Sequence, residues 1–223
     1  MPLRKRVYVI NIPPGLPLEK VYEKLSKALD TPQGEIKLEH GRAVVKLVGL
    51  DSEMKSSWLK IKQAVAELWE IYNLRKTMQI SVETLVKEVR RTFSPEALVY
   101  ALRLRGYEAE LLEGKGVIRT NAPFEEIVDA ARLIVQTVDE VKYTLSGTAS
   151  KRVVAALASG LRLPPSTVIE YGLRSKIFKN SQGKVTLAMD WRVAIRRLAV
   201  LLKGALTNKG GGGKESGSRN QDT

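Results

Sequence analysis

The chain has 223 residues, 43% hydrophobic and 27% charged, the composition of a folded globular protein rather than a disordered one. With no cysteine it has no disulfide, thiolate metal site or cysteine nucleophile, and a lone histidine, His40, leaves no His-cluster metal site and weighs against a Ser-His-Asp triad. No run approaches the roughly 18 consecutive apolar residues of a membrane span. The apolar stretch after Arg6 stops at Asn11, ahead of Pro13 and Pro14, too soon for a secretory signal; a soluble, cytoplasmic protein is expected.

The positive observation is charge. Lys and Arg number 37 against 24 Asp and Glu, a net +13, and such an excess on a compact chain points to a polyanionic partner, most often nucleic acid. The excess is uneven: residues 1–76 carry 14 basic and 9 acidic side chains, residues 77–147 carry 9 and 11, and residues 148–223 carry 14 and 4. Solubility alone would not concentrate it in the last third.

In chain order, Arg6–Ile12 alternates apolar and polar side chains as a half-buried strand does, and Leu18–Leu29 has helical periodicity. The segment Glu35–Lys46 then aligns without a gap on Glu108–Arg119 at an offset of 73: strand, Gly-basic turn, strand. A third hairpin runs from Lys176 through Gly183-Lys184 to Met189, and Tyr100-Ala-Leu-Arg103 recurs as Tyr171-Gly-Leu-Arg174. Each hairpin leads into a helix with an expected N-cap at Asp51, Asn121 or Asp190, with Pro123 just inside the second helix. Helices over Ser81–Arg90 and Ala149–Ser159, proline turns at Ser94-Pro95 and Pro164-Pro165, and short strands at Thr77–Ile80 and Lys142–Ser146 complete the pattern. The expected fold is α+β, built from three related modules (strand–helix–helix–strand–strand–helix, with one helix fewer in the first) over residues 1–76, 77–147 and 148–209. Residues 210–223, with four consecutive glycines and otherwise small or polar side chains, are expected to be a disordered tail.

The candidate site residues are basic. Arg42, Lys115 and Lys184 follow turn glycines, where a cation can meet a phosphate or simply be solvated. Around the third hairpin stand Arg174, Lys176 and Lys179; near the start of the preceding helix stand Lys151 and Arg152. On the last helix, Ala194, Ile195, Leu198, Leu201, Leu202 and Ala205 make a core stripe, with Arg192, Arg196 and Lys203 opposite and Arg197 at the edge. Trp58 and Trp69 share one helical face and read as core, as do Tyr100 and Tyr171; Tyr8 could pack or stack a base. Asp51, Glu125, Glu126 and Asp190 read as caps and first-turn charges, so no catalytic constellation, cofactor or metal site is expected.

The order of elements after Ala149 resembles a winged helix-turn-helix, with Ser166 capping a recognition helix. That helix would offer Thr167, Val168, Ile169 and Glu170 to the bases, a poor reading surface, and Val168 and Ile169 look like core. The same order resembles a K-homology RNA-binding module, but the Gly160–Pro165 connection lacks the Gly-x-x-Gly clamp. Arg6–Ile12, the run Val48–Ser52 and Trp58–Lys62 together resemble an uncharacterised protein family of thermophilic archaea; the absence of cysteine and the few Asn and Gln suit a thermophile. That resemblance implies no activity and no site residues. The expected function is non-enzymatic nucleic-acid binding, RNA or a ribonucleoprotein before DNA, through the basic C-terminal module. A winged-helix DNA-binding regulator and a protein-assembly adaptor with a basic face are the alternatives.

Overall fold

The computed structural model describes residues 4–29, 34–39, 41–112 and 114–210. His40 and the expected tail beyond Gly210 lie outside them. Helices carry most of the chain and the sheets are small and antiparallel, so the fold is α+β. It divides into two compact units, Met1–Ile80 and Ser81–Thr223.

In the first unit, β1 (Arg4–Asn11) and β2 (Glu35–Glu39) flank β3 (Arg42–Gly49), antiparallel throughout. Strand alternation sends Ala43, Val45 and Leu47 of β3 inward. Helix α1 (Leu18–Ala28) covers them with Val21 and Leu25, and α2 (Asp51–Thr77) with Met54, Ile61 and Leu68. Tyr8 and Trp58 stack at 3.9 Å between ring centroids, and Trp69 packs on the same core, so all three aromatics serve the interior. Asp51 is not a cap. The Leu50 N–H is instead accepted by Glu53 at 3.0 Å, and Asp51, first residue of the helix, accepts from Arg6 at 2.6 Å.

Strand β4 (Gln79–Ser81) spans the division between the units and starts two residues later than the expected Thr77–Ile80, because Thr77 still belongs to α2. Ser81 caps α3 (Val82–Val89) by accepting from the Thr84 N–H at 3.1 Å, and Ser94 caps α4 (Pro95–Leu104) by accepting from Ala97 at 3.3 Å. The hairpin β5 (Ala109–Leu112) and β6 (Val117–Thr120) follows, with strand order β4-β6-β5. Helix α5 (Phe124–Glu140) has Pro123 as its N-cap residue and no side-chain cap. Asn121 does something else: its Oδ1 accepts from the Glu108 N–H at 2.9 Å and pins the end of the hairpin.

Helix α6 (Thr148–Leu161) is followed by α7 (Pro165–Arg174), β7 (Phe178–Ser181), β8 (Lys184–Leu187) and α8 (Trp191–Gly210). The expected strand over Lys142–Ser146 contracts to a single parallel bridge between Leu145 and Val185, because the Leu145 N–H returns to the Val141 carbonyl and closes a turn there. In each segment the strand after the hairpin turn nevertheless lies in the middle: β1-β3-β2, β4-β6-β5, and Leu145 with β8-β7. Asp190 does cap α8, its Oδ1 accepting from the Arg192 N–H at 2.9 Å and from Val193 at 3.3 Å.

The second and third segments are not separate bodies. Every residue of α6 from Val153 to Gly160 is buried, and the helix packs on α4, α5, α7 and α8, as a helix apolar on all sides must. A Cβ on Gly160 would stand 2.7 Å from the Leu104 Cβ and 3.0 Å from the Ala101 Cα, so only glycine permits this approach of α6 to α4. Arg105, with only 5% of its side chain exposed, ties three helices together. It donates to Glu126 at 2.7 Å and Asp129 at 2.8 Å on α5, and to the Ser159 carbonyl on α6 at 3.1 Å. Replacing Arg105 by Ala should lower unfolding free energy by about 1–3 kcal/mol, because the Ser159 carbonyl loses its donor while Glu126 and Asp129 stay partly exposed and keep Arg162 as a partner. Arg91→Ala, which breaks an exposed pair with Asp139, should cost below about 1 kcal/mol. Urea denaturation of the two variants checks the contrast.

Candidate nucleic-acid interface

The C-terminal hairpin is shaped by its turn. Gln182 and Gly183 both have positive φ, 50° and 75°, as a two-residue hairpin connection requires. The resulting register pairs Lys179 with Thr186 and Ser181 with Lys184. Phe178 and Val185 are buried, so alternation turns Lys179 and Lys184 to the opposite, exposed face, where they are diagonal neighbours. Lys176, exposed and left-handed at φ 57°, precedes β7. No carboxylate lies between Lys176 and Met189, and none of the three lysines makes an ion pair among the described residues.

Helix α8 carries a second set of exposed cations. Arg192, Arg196 and Lys203 lie within about 40° of one another on the helical wheel and are exposed, while Ala194, Ile195, Leu198 and Leu202 are buried on the other side. Arg197 is exposed at the margin. The expected core stripe is narrower than it reads: Leu201 is 44% exposed, because it is turned about 100° from Leu202, and Ala205 is only half-buried. The helix has no acidic residue, and Asp190 before it is spent as the cap.

At the start of α8 the structure assembles a group that sequence spacing hides. The Trp191 ring lies 4.8 Å from the Arg152 guanidinium and 4.7 Å from that of Arg192, and it meets Tyr100 edge-on at 5.6 Å. Arginine on aromatic faces is a cation–π arrangement, and half-exposed aromatics beside cations suit single-stranded nucleic acid. Tyr100, Arg152 and Trp191 stand on three helices, so no local motif could have revealed the group. The neighbouring Trp191-Arg192 pair is its one legible sign.

The other candidates contribute unequally. Arg174 is exposed but shared with Glu170 at 3.7 Å and with the Tyr171 ring. Arg152 is half-buried, 4.0 Å from Glu96, and Lys151 beside it is half-buried too. Arg42 and Lys115 are exposed near hairpin turns. Arg42 lies in the first compact unit, and among the described residues no ion pair or ring contact joins Lys115 to the other candidates.

The recognition-helix geometry changes in detail. Pro164, not Ser166, is the N-cap residue of α7, with no side-chain cap; Val168 is fully buried, Ile169 half-buried, and Glu170 engages Arg174. Gly160 is no loop glycine either. It is a buried helical residue, and the reversal comes at Arg162, with φ 52°, so this connection has no glycine clamp for a nucleic-acid backbone.

Fold and site together define a small-sheet α+β protein with a cationic C-terminal surface. The chain belongs to the family described as "Uncharacterized protein conserved in archaea (DUF2067)", matched over residues 10–196. No curated protein and no solved structure matches it. Among the described residues no helix is long and apolar enough to cross a membrane, and no group of His, Cys, Asp or Glu could hold a metal ion.

The electrostatics of the arginine–aromatic group are readable in Glu96. Burial opposes its ionisation, but hydrogen bonds from Ser94 and from its own backbone N–H, with the charges of Arg152 and Arg192, outweigh burial and hold its carboxyl below the ordinary value of 4.5. A lowered folded-state pKa favours folding above the unfolded value, and that contribution disappears as pH falls through the folded value. Glu96→Gln should therefore flatten the loss of stability below pH 4.5 relative to the parent protein, as measured by thermal melting across a pH series.

Proposed function

We propose that this protein binds nucleic acid, RNA in preference to DNA, without catalysing a reaction on it, and that it does so in the cytoplasm through the surface formed by the β7–β8 hairpin and α8. The observation that carries this reading is four exposed side chains on two consecutive elements that make no ion pair among the described residues, Lys179 and Lys184 on one face of the hairpin and Arg196 and Lys203 on one face of α8, with Arg192 on that same helix face. Cations without carboxylate partners release counterions when they meet phosphates, which is the main source of sequence-independent affinity. RNA is favoured because the N-terminal turn of α7 offers the bases a buried Val168 and a Glu170 engaged with Arg174 rather than the Arg, Asn or Gln of a major-groove helix. The Tyr100–Trp191 pair supports contact with unstacked bases.

Fluorescence anisotropy with a structured RNA and a duplex DNA, across a salt series, tests the proposal. Reversal of Arg192, Arg196 and Lys203 to Glu, and separately of Lys176, Lys179 and Lys184, should each weaken RNA binding strongly. Each should also lower the salt slope by about one unit per lost phosphate contact. Reversal of Arg4, Lys5 and Lys20, exposed residues of the first unit, serves as the control. Equal, small responses to all three triples would refute the reading. Tighter binding of duplex DNA, damaged mainly by the hairpin triple, would favour the winged-helix alternative.

A further inference from the structure

Beside this surface, within the second unit, lies a half-open cleft of about 250 Å³ between the loop before α4, the last turns of α5 and the first turns of α6. Its walls are apolar, with Phe93, Ile134, Val135, Val138 and Ala155 among them, and three cations and one carboxylate stand on the lining: Arg91, Lys151, Arg152 and Asp139. The states of the cations differ. Arg91 is held by both carboxylate oxygens of Asp139, at 2.9 and 3.0 Å. Lys151 makes no ion pair among the described residues. Arg152 has a buried Nε with no acceptor, and its nearest carboxylate, on Glu96, is 4.0 Å away, too far for a hydrogen bond. The Nε itself is closed to solvent, so it is the 26% exposed remainder of the Arg152 side chain that can meet a ligand. Helix α6 adds to the field: it starts at Gly147 with no side-chain cap and no acid in its first turn, and Thr148, Lys151 and Arg152 of those turns line the cleft.

We infer that this cleft binds a phosphomonoester that carries an apolar or planar body, of the size of a nucleoside monophosphate. The pairing of chemistries leads there. Two cations with spare donors at a helix start suit a group that carries about −1.5 to −2 charges at neutral pH and three acceptor oxygens. An inorganic anion alone would leave the apolar walls in contact with water, and an uncharged body alone would leave Lys151 and Arg152 without acceptors. A free nucleotide and the phosphorylated end of an RNA chain both present this chemistry. Arg152 is shared with the Tyr100–Trp191 group, but the inference does not rest on the nucleic-acid reading, since none of the hairpin lysines and none of Arg192, Arg196 and Lys203 lines the cleft.

Isothermal titration of the full chain with AMP, adenosine and inorganic phosphate tests it. AMP is expected to bind with a Kd of about 10–100 µM, and adenosine and phosphate each at least about tenfold more weakly. Lys151→Gln should weaken AMP at least about fivefold, and Val138→Trp, which fills the cleft, should abolish binding. Amide chemical-shift mapping on the parent protein covers the case in which the tryptophan variant does not fold: AMP should move Thr92, Phe93, Thr148 and Ala149. The Lys176/Lys179/Lys184 reversal should leave AMP binding unchanged, which separates this site from the nucleic-acid surface. Competition by a tetraribonucleotide with a 5′-phosphate, but not by its 5′-hydroxyl form, identifies an RNA end as the source; AMP binding without such competition identifies a free nucleotide. AMP binding indifferent to Lys151→Gln, shifts confined to the hairpin or α8, or equal competition by the 5′-hydroxyl oligomer would overturn the assignment.

Discussion

The second compact unit is organised around a buried guanidinium. Arg105 leaves the C-terminal end of α4, reaches Glu126 and Asp129 on α5, and donates to the Ser159 carbonyl on α6. Ser159 in turn donates its hydroxyl to the Ala130 carbonyl of α5 at 2.9 Å, and Arg162 approaches the same two carboxylates from the end of α6. Burial of one charge thus fixes the mutual placement of three helices, since each partner must be present for the guanidinium to be tolerated away from water. Everything further along the chain hangs from α6, which carries Arg152 at one end and packs on α7 and α8.

The same network explains where the acids went. The middle segment is the one with more acidic than basic residues, and several of its carboxylates are committed inward or sideways: Glu126 and Asp129 to Arg105, Asp139 to Arg91, Glu96 to Ser94 and the arginines near Trp191. The C-terminal segment has few acids, and of the two that precede α8 one caps that helix and the other lies beside Arg174. Lys176, Lys179, Lys184, Arg192, Arg196, Arg197 and Lys203 are left to solvent. Charge segregation along the chain becomes charge exposure on one pair of elements, because the hairpin has only one outward face and α8 only one dry side.

Glycine carries two different constraints here. Gly183 supplies a left-handed turn residue, which a Gly between two strand-like runs advertises. Gly160 and Gly172 instead make room. A Cβ on Gly160 would press on α4, and one on Gly172 would collide with the Phe178 ring. Neither looks different from a turn glycine in the sequence, and Gly160 reads as part of a loop until the structure places it inside a buried helix.

Period and turn chemistry made much of the local architecture legible: the alternation of β1, the three hairpins at their Gly-basic turns, the helix over Ser81–Arg90, the Asp190 cap and the exposed stripe of Arg192, Arg196 and Lys203. These depend on neighbours in sequence, where side-chain direction follows from a fixed repeat of 2 or 3.6 residues. Asp51 and Asn121 do not cap because each side chain answers to a distant partner, the Arg6 guanidinium and the Glu108 N–H, and Ser166 does not because the Pro164–Pro165 turn already starts the helix at Pro165. The Tyr100–Arg152–Trp191 group, the buried state of Arg105, the union of the second and third segments through α6, and the cleft lined by Arg91, Lys151 and Arg152 were decided by tertiary packing alone. The residues involved are separated by tens of positions and carry no shared period, so only the burial of α6 among its neighbours brings them together.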